Sequence, residues 1–261
     1  LVLSSGSNNP HFNITSVVKE NPIVAPMFCM LLRKHLTGAR VTSVTQLGFE
    51  RAVEFGFDCF DEMGFRTMKY LVTETMGKYS NVILLNAEKK VVSALKIIDL
   101  AASSVRQILP GFPYELPPTQ RKLCPLTASE ADFKSALSAS ADMPADKFIA
   151  ANFYGLAAIT SREIALRAAG SSDRLISECD PDALWKSFES VRNIINENKS
   201  EPYLVSEISG RPVEYLFFEP REYGADYNVQ KVESFGVLLD EYFGRRDKAE
   251  RIKQRTSDIF R

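Results

Sequence analysis

Apolar runs dominate the first part of the chain and predict β-strands. The runs cover residues 40–44, 51–57, 68–75, 81–86 and 91–98. Within the fourth run, Val82-Ile83-Leu84-Leu85 is apolar throughout, which is typical of a strand buried on both faces. We therefore expect an α+β fold that begins with an antiparallel sheet and a helix packed against it.

The helix is predicted at residues 26–38, where both ends carry sequence signals. Pro26 suits the first turn, because its missing N–H needs no partner there, and Gly38 suits the position after the last turn. The side chains that share the core-facing side are Phe28, Leu31, Leu32 and Leu36. Arg33 points elsewhere. It either binds a polyanion or carboxylate or is a solvated cation on a core helix, and this segment alone favours the second interpretation.

Prolines between residues 110 and 118 mark a linker, because they remove backbone donors and bias the preceding residues to extended geometry. Past the linker the pattern becomes helical. The predicted domains are a sheet domain at 1–112, the linker at 113–126, a helical domain at 127–228, and a helix leading into a coiled coil at 229–261.

The helical part also carries signals for helix ends, one hairpin and a charged terminal helix. Capping-box spacing occurs at Thr127/Glu130 and at Thr160/Glu163, and the glycines at 155 and 170 suit helix ends. Residues 203–205 and 213–217 predict a small β-hairpin, and residues 232–243 predict a helix. Residues 244–261 hold seven cations against three acids, a charge of +4, and predict the first turns of a coiled coil.

Composition narrows the function. The 261 residues carry a formal net charge of −1, so binding of nucleic acid or an anionic membrane needs local patches. The four scattered cysteines and two histidines give no signal for a disulfide framework, a metal site, a cofactor or a catalytic dyad. No apolar run approaches membrane-spanning length, so we expect no membrane insertion. Because the chain opens at Leu1 without a methionine and already strand-like, we expect that its first strands precede it.

Besides Arg33, three segments of the sheet domain carry candidate chemistry. Glu50-Arg51 enters a strand and is either a surface ion pair or a pair that accepts from a nucleobase and holds a phosphate. In the segment after Gly77, Lys78 suits a phosphate, Tyr79 suits stacking on a base, and Asn81 can donate and accept. A plain structural turn explains the same residues nearly as well. Arg106 is a further candidate cation.

One candidate site lies in the helical domain. Residues 153–165 predict two helices joined by a tight turn at Gly155, a helix-hairpin-helix that would point amide groups at a phosphate. The residues that would form this site are Gly155, Thr160, Ser161 and Arg162. A purely structural hairpin is at least as good an interpretation.

Sequence blocks along nearly the whole chain resemble those of the NFACT family, in the same order. They are PMFCMLLRKHL at 26–36, ETMGKYSN at 74–81, LPG at 109–111, YELPP at 114–118 and ERIKQR at 250–255. The family includes bacterial RqcH, eukaryotic NEMF, and the fibronectin- or fibrinogen-binding proteins of the FbpA and PavA type. The resemblance implies a sheet domain similar to the N-terminal domain of formamidopyrimidine-DNA glycosylases, then a helix-hairpin-helix domain and a coiled coil.

The resemblance also implies a function in ribosome-associated quality control. Family members bind stalled large ribosomal subunits, with their rRNA and peptidyl-tRNA, and recruit tRNA for untemplated C-terminal tailing. The tRNA is alanyl-tRNA in bacteria. The ribosome is expected to make the peptide bond, so we expect no catalytic residue and a cytoplasmic, ribosome-associated protein. The implied tRNA-binding residues are Arg33, Glu50, Arg51, Lys78, Tyr79, Asn81 and Arg106.

The chain departs from the family pattern at three places. Glu50-Arg51 replaces an Asp-Arg pair needed for tailing, Lys78-Tyr79 replaces Arg-His, and Val105 replaces a histidine. Lysine lacks the bidentate phosphate grip of arginine, and tyrosine lacks a group that titrates near neutral pH.

Two other classes of function are consistent with parts of the sequence. A surface adhesin that binds fibronectin or fibrinogen agrees with the older family label, whereas the missing secretion signal and disulfide framework count against it. A DNA-binding protein related to glycosylases agrees with both implied domain types. Those enzymes use an N-terminal proline nucleophile with an adjacent glutamate, and the resemblance to the NFACT family argues against that chemistry.

Overall fold

The computed structural model describes residues 1–18, 21–118 and 121–246. The chain forms two compact units, Leu1–Thr119 and Gln120–Arg261. The boundary falls inside the predicted linker at 113–126. The first part of that linker still belongs to the first unit, because Pro113 bridges to Lys90 and the Tyr114 amide donates to the Lys89 carbonyl.

The first unit is built on one antiparallel sheet, as the apolar runs predicted. Its elements are β1 (Val2–Ser4), β2 (His11–Asn13), α1 (Met27–Leu36), β3 (Arg40–Gln46), β4 (Ala52–Phe60), β5 (Arg66–Glu74), β6 (Asn81–Leu85) and β7 (Val91–Ala94). The five strands from β3 to β7 pair in sequence order, and β1 pairs with β2 in a separate two-stranded sheet. Each predicted strand is present with ends shifted by a few residues, and the α+β antiparallel fold is confirmed.

Both faces of the sheet are covered at its central strands. On one face, the side of α1 that was predicted to face the core packs against the sheet, in a cluster with Phe55, Leu71 and Leu84. On the other face, Val72 and Ile83 pack with Ile108 from the segment after β7. All five residues of β6 are buried, which confirms the prediction from its continuous apolar run.

The second unit contains helices followed by a three-stranded sheet. Its elements are α2 (Glu130–Ala139), α3 (Ala145–Asn152), α4 (Ala158–Ala169), α5 (Pro181–Asn196), β8 (Tyr203–Glu207), β9 (Pro212–Leu216), β10 (Tyr227–Lys231) and α6 (235–246). Strand β8 lies between β10 and β9, so the predicted hairpin gains a third strand. The core is aromatic, with Phe133 in ring contact with Phe148, Phe153, Trp185 and Phe188.

Two predicted helix ends were wrong. The capping box of α2 is formed by Ser129 and Asp132, because α2 begins two residues later than the spacing of Thr127 with Glu130 suggested. Thr160 lies inside α4, which begins at Ala158 without a side-chain cap. Gly170 ends α4 in the left-handed conformation, as predicted. The predicted coiled coil lies mostly outside the described residues.

Candidate functional site

The register of the sheet brings two predicted segments to the same place. Ala52 pairs with Glu74, and Glu74 pairs with Asn81, so these three residues form one row across β4, β5 and β6. The pair Glu50-Arg51 and the segment 75–80 lie immediately beyond this row, and we call this region the sheet end. The Arg51 carbonyl accepts from the Thr75 amide at 2.9 Å, which ties the two segments together.

The glycine segment presents two side chains to solvent. Gly77 has φ +60°, a conformation that side-chain-bearing residues rarely adopt, and begins a short 3₁₀ turn. The Ser80 hydroxyl accepts from the Met76 amide at 2.7 Å and closes the segment. Lys78 and Tyr79 are consequently exposed, with the lysine nitrogen 4.9 Å from the centre of the tyrosine ring. A cation next to an exposed ring suits a nucleotide, because the cation can neutralise the phosphate while the ring stacks on the base.

The position of Asn81 corrects the expectation that it contacts a ligand. Its side chain is buried and fully used by the backbone. Nδ2 donates to the Lys96 carbonyl at 2.7 Å, and Oδ1 accepts from the amides of Val82 and Lys96, each at 2.9 Å. Asn81 therefore fixes the position of Lys96, whose Nζ also donates to the Ser5 carbonyl. The sequence analysis missed Lys96, since nothing near residue 96 indicates this long-range contact.

Arg106 is also not the free cation that was expected. Its guanidinium donates to both carboxylate oxygens of Glu74, at 2.6 and 3.0 Å, and to the Glu115 carbonyl at 2.7 Å. The side chain of Glu74 is 1% exposed and that of Arg106 is 12% exposed. Burial opposes the charge on Arg106, but the hydrogen bonds and the charge of Glu74 outweigh it and raise the pKa of Arg106.

Tyr114 completes this buried group. Its hydroxyl donates to Glu74 at 2.8 Å, and its ring lies 5.1 Å from the guanidinium carbon of Arg106. Burial, followed by the negative charge of Glu74, raises the pKa of Tyr114 well above its ordinary value. The sequence did offer a signal for this group, because Glu74 is a carboxylate at the end of an apolar strand. Buried carboxylates without a partner are rare, so a partner for Glu74 could be expected.

These residues surround a groove of about 550 Å³ at the sheet end. Its lining residues are Glu74, Met76, Lys78, Tyr79, Lys96, Ile97, Ile98, Ala102, Ser103, Val105, Arg106, Pro117 and Pro118. The walls are mainly apolar, whereas Lys78 and Lys96 supply the positive charge. The groove can therefore hold a flat ring against its walls and an anionic group at the lysines.

The structure separates Arg33 from the other candidates. Arg33 is exposed on α1, and its guanidinium contacts only the sulfur of Met30, at 3.9 Å, among hydrogen bonds within the described residues. The neighbouring Lys34 forms an ion pair with Glu62, in the turn between β4 and β5. That turn follows the opposite end of β4 from Glu50-Arg51, so Arg33 does not belong to the sheet end.

The second unit does not form the predicted phosphate-binding hairpin. Gly155 has φ +77° in the joint between α3 and α4, but Thr160 and Ser161 are buried. Arg162 donates to Glu222 at 2.6 Å. Residues 121–246 contain 15 Lys and Arg against 20 Asp and Glu, a formal charge of −5. Buried hydroxyls, a paired arginine and a negative unit make a poor phosphate site.

Comparison with known proteins decides the family. Residues 1–261 match the family described as NFACT N-terminal and middle domains. The chain belongs to the NFACT family. Its relatives include Rqc2 homolog RqcH of Bacillus subtilis (strain 168), which is 33% identical over 262 residues. That alignment covers 100% of this chain and 44% of the relative, so the chain spans less than half of that NFACT protein's length.

Two similar solved structures share the fold of this NFACT chain. The N-terminal part of the fibronectin/fibrinogen-binding protein from Streptococcus suis is 30% identical, with a TM-score of 0.73 over 93% of this chain and 81% of that one. The fibrinogen-binding protein from Staphylococcus aureus is 25% identical, with a TM-score of 0.74 over 92% of this chain and 81% of that one. Among residues 1–18, 21–118 and 121–246, no helix has the length and apolar character needed to cross a membrane.

Proposed function

We propose that this chain is the tRNA-binding N-terminal part of a ribosome-associated quality-control factor. The whole protein would bind a stalled large ribosomal subunit, contacting its rRNA and peptidyl-tRNA. It would recruit tRNA for untemplated tailing of the nascent chain, as bacterial relatives do with alanyl-tRNA. Alignment of the full chain with a protein named Rqc2 homolog RqcH supports the proposal. The site of action would be the cytoplasmic ribosome.

The observation that carries the proposal is the groove beside Glu50-Arg51. Lys78, Lys96 and Arg51 offer positive charge at the sheet end, close to an exposed aromatic ring. RNA loops present phosphates and unstacked bases together, which is what this combination of groups suits. The first unit is also the more positive one, with 12 Lys and Arg against 10 Asp and Glu in residues 1–119.

Each residue at the sheet end has a distinct role in the proposal. Lys78 and Lys96 neutralise phosphates as point charges, because an ammonium group lacks the bidentate geometry of arginine. Tyr79 stacks on an unpaired base. Glu50 accepts from the amino group of a base while Arg51 holds the adjoining phosphate. Arg106 and Asn81 act indirectly: the first holds the groove floor through Glu74, and the second positions Lys96.

The proposal assigns no chemical step to this chain. Its residues bind and orient the adaptor RNA, and the ribosome forms the peptide bond. We also propose the finer fold assignment, in which the first unit resembles the N-terminal domain of formamidopyrimidine-DNA glycosylases and α3 with α4 forms a helix-hairpin-helix. The five-residue joint containing Gly155 supports the second part.

A surface adhesin is the second candidate, because the similar solved structures belong to proteins named for binding fibronectin or fibrinogen. Cell fractionation separates the two candidates. Ribosome-associated quality control predicts that the full-length protein sediments with large ribosomal subunits, whereas an adhesin would accumulate in the cell wall fraction.

Sequencing of RNA crosslinked to the full-length protein in cells tests the proposal. We expect tRNA and large-subunit rRNA to dominate the recovered RNA. Arg51→Ala should reduce tRNA recovery, and Arg174→Ala, an exposed arginine of the second unit, should leave it unchanged. Recovery without tRNA enrichment, or equal recovery from both variants, would reject the tRNA-binding role.

A further inference from the structure

The turn that joins β4 to β5 is held rigidly. The carboxylate of Asp61 accepts from the amides of Met63 at 2.9 Å and Phe65 at 2.8 Å, and the Asp61 amide donates to the Phe65 carbonyl at 2.9 Å. Gly64 has φ +83°, which permits the tight reversal. Residues 61–65 are therefore presented in one fixed conformation.

Large apolar side chains stand out from this rigid turn. Phe60 is 70% exposed, Met63 is 83% exposed and Phe65 is 66% exposed. Singly exposed apolar residues are common on soluble proteins, but several of them fixed around one turn form a patch that is typical of a binding surface.

The strand register places cations beside the aromatic rings. Phe60 pairs with Arg66 and Asp58 pairs with Arg40, and residues two apart in a strand share a face. Arg40, Phe60 and Arg66 consequently lie on the same face of the sheet. We call Arg40, Phe60, Met63, Phe65 and Arg66 the turn surface. Asp58, on the same face, forms an ion pair with the guanidinium of Arg66, so these two residues together add no net charge and Arg40 is the cation left beside the rings.

The opposite face of the same end is also positive. Lys34 and Lys69 lie close to His35, at the end of α1. Burial, followed by the charges of Lys69 and Lys34, lowers the pKa of His35, although Glu62 opposes the shift. Within the described residues, Arg40 on one face and Lys69 on the other form no ion pair, whereas Arg66 and Lys34 are paired with Asp58 and Glu62. These two cations favour an anionic partner.

We propose that the turn surface binds an RNA loop, with unpaired bases stacked on Phe60 and Phe65 and a phosphate beside Arg40. The inference rests on the proposed RNA-binding function but concerns a second surface. The nine residues of β4 separate the turn from Glu50-Arg51. At about 3.4 Å per residue, the distance between the two is about 30 Å. An RNA that contacts both ends must therefore span at least that distance. Arg40, on the same face as Phe60, favours RNA over an apolar protein partner.

Binding of a fluorescent twelve-nucleotide oligoadenylate to the full chain, followed by anisotropy, tests the proposal. The double variant Phe60→Ala/Phe65→Ala should bind at least about fivefold more weakly, because each stacked base contributes enough for that change. Phe235→Ala, which removes a phenylalanine that is 41% exposed in the second unit, is the matched control and should bind like the wild type. Since the turn rings are exposed, thermal unfolding should not change.

A charge variant gives an independent readout. Arg40→Ala should lower the slope of log affinity against log salt by about 0.7, the value for one phosphate contact on a single strand. Lys147→Ala, whose side chain is 70% exposed in the second unit, should leave the slope unchanged. The aromatic double variant should also leave the slope unchanged, because it removes stacking and no charge.

The failure of this inference is distinguishable from failure of the proposed function. Normal oligoadenylate binding by the aromatic double variant, with weaker binding by Lys78→Ala, would reject the turn surface and leave the groove assignment intact. Loss of ribosome co-sedimentation with unchanged RNA affinity would also reject it, in favour of a protein partner. If the wild-type chain binds neither oligoadenylate nor tRNA, both proposals fail.

Discussion

Removing Arg106 should destabilise the first unit more than any change to a surface ion pair. Arg106→Met keeps the aliphatic volume but leaves the buried carboxylate of Glu74 without its bidentate partner. Breaking a buried pair in this way costs about 3–5 kcal/mol. For the 119 residues of Leu1–Thr119, an unfolding entropy of about 2.1 cal/mol/K per residue converts that loss into a fall in Tm of about 12–20 °C.

Thermal unfolding followed by circular dichroism measures this loss. The only tryptophan, Trp185, is buried in the second unit, so its fluorescence reports on that unit separately. The dichroism transition should move in Arg106→Met, and the tryptophan transition should stay. Lys34→Met is the matched control, because it breaks the pair with Glu62, in which both side chains are more than half exposed. That variant should lose no more than about 1 kcal/mol.

The double variant Glu74→Gln/Arg106→Met tests the mechanism of the loss. If the uncompensated buried charge is responsible, the neutral amide should restore much of the stability, and the double variant should unfold above Arg106→Met. Two outcomes would refute the assignment of a buried ion pair at this site. One is equal Tm values for Arg106→Met and Lys34→Met, and the other is a Tm of the double variant below that of Arg106→Met.

Three further changes probe the same region. Tyr114→Phe should lower the free energy of unfolding by about 1–2 kcal/mol near neutral pH. Because the folded-state pKa of Tyr114 is raised, the stability that its hydroxyl contributes is lost as pH rises above about 10. Urea unfolding at increasing pH should therefore show a smaller loss of stability in the variant than in the wild type. Gly77→Ala should lower the free energy of unfolding by about 1–2 kcal/mol, because Gly77 has a positive φ. Gly224→Ala places a methyl group in open space and should change stability by less than about 0.5 kcal/mol. Equal urea midpoints for the two variants would contradict this. Asn81→Ala should expose the amide of Lys96 to hydrogen exchange, and continued protection there would show that the side chain does not hold that segment.

The strands were predictable because their signal is local. The unbroken run Val82-Ile83-Leu84-Leu85 requires an apolar environment on both faces, and the structure supplies it through the two clusters on either side of β6. The capping box of α2 was harder, because Ser129/Asp132 and Thr127/Glu130 have the same spacing. Only the packing of the helix decides which pair lies at the start.

The candidate site was predictable in part. Lys78 and Tyr79 follow a glycine whose positive φ makes a turn, and a turn exposes its side chains. The roles of Asn81 and Arg106 depend on partners 15 and 32 residues away, so residue type alone could not separate a ligand contact from a structural one. Arg33 was misplaced for a related reason, since the direction in which α1 crosses the sheet is set by packing.

The central claim is that tRNA binds at the sheet end, and its salt-dependent affinity tests that claim most directly. Filter binding of tRNA at a series of salt concentrations should show that Lys78→Ala and Arg51→Ala each weaken binding and each lower the log–log salt slope by about 0.7–0.9. Lys186→Ala, an exposed lysine of the second unit, should match the wild type. Wild-type affinity and slope in both sheet-end variants would contradict the account.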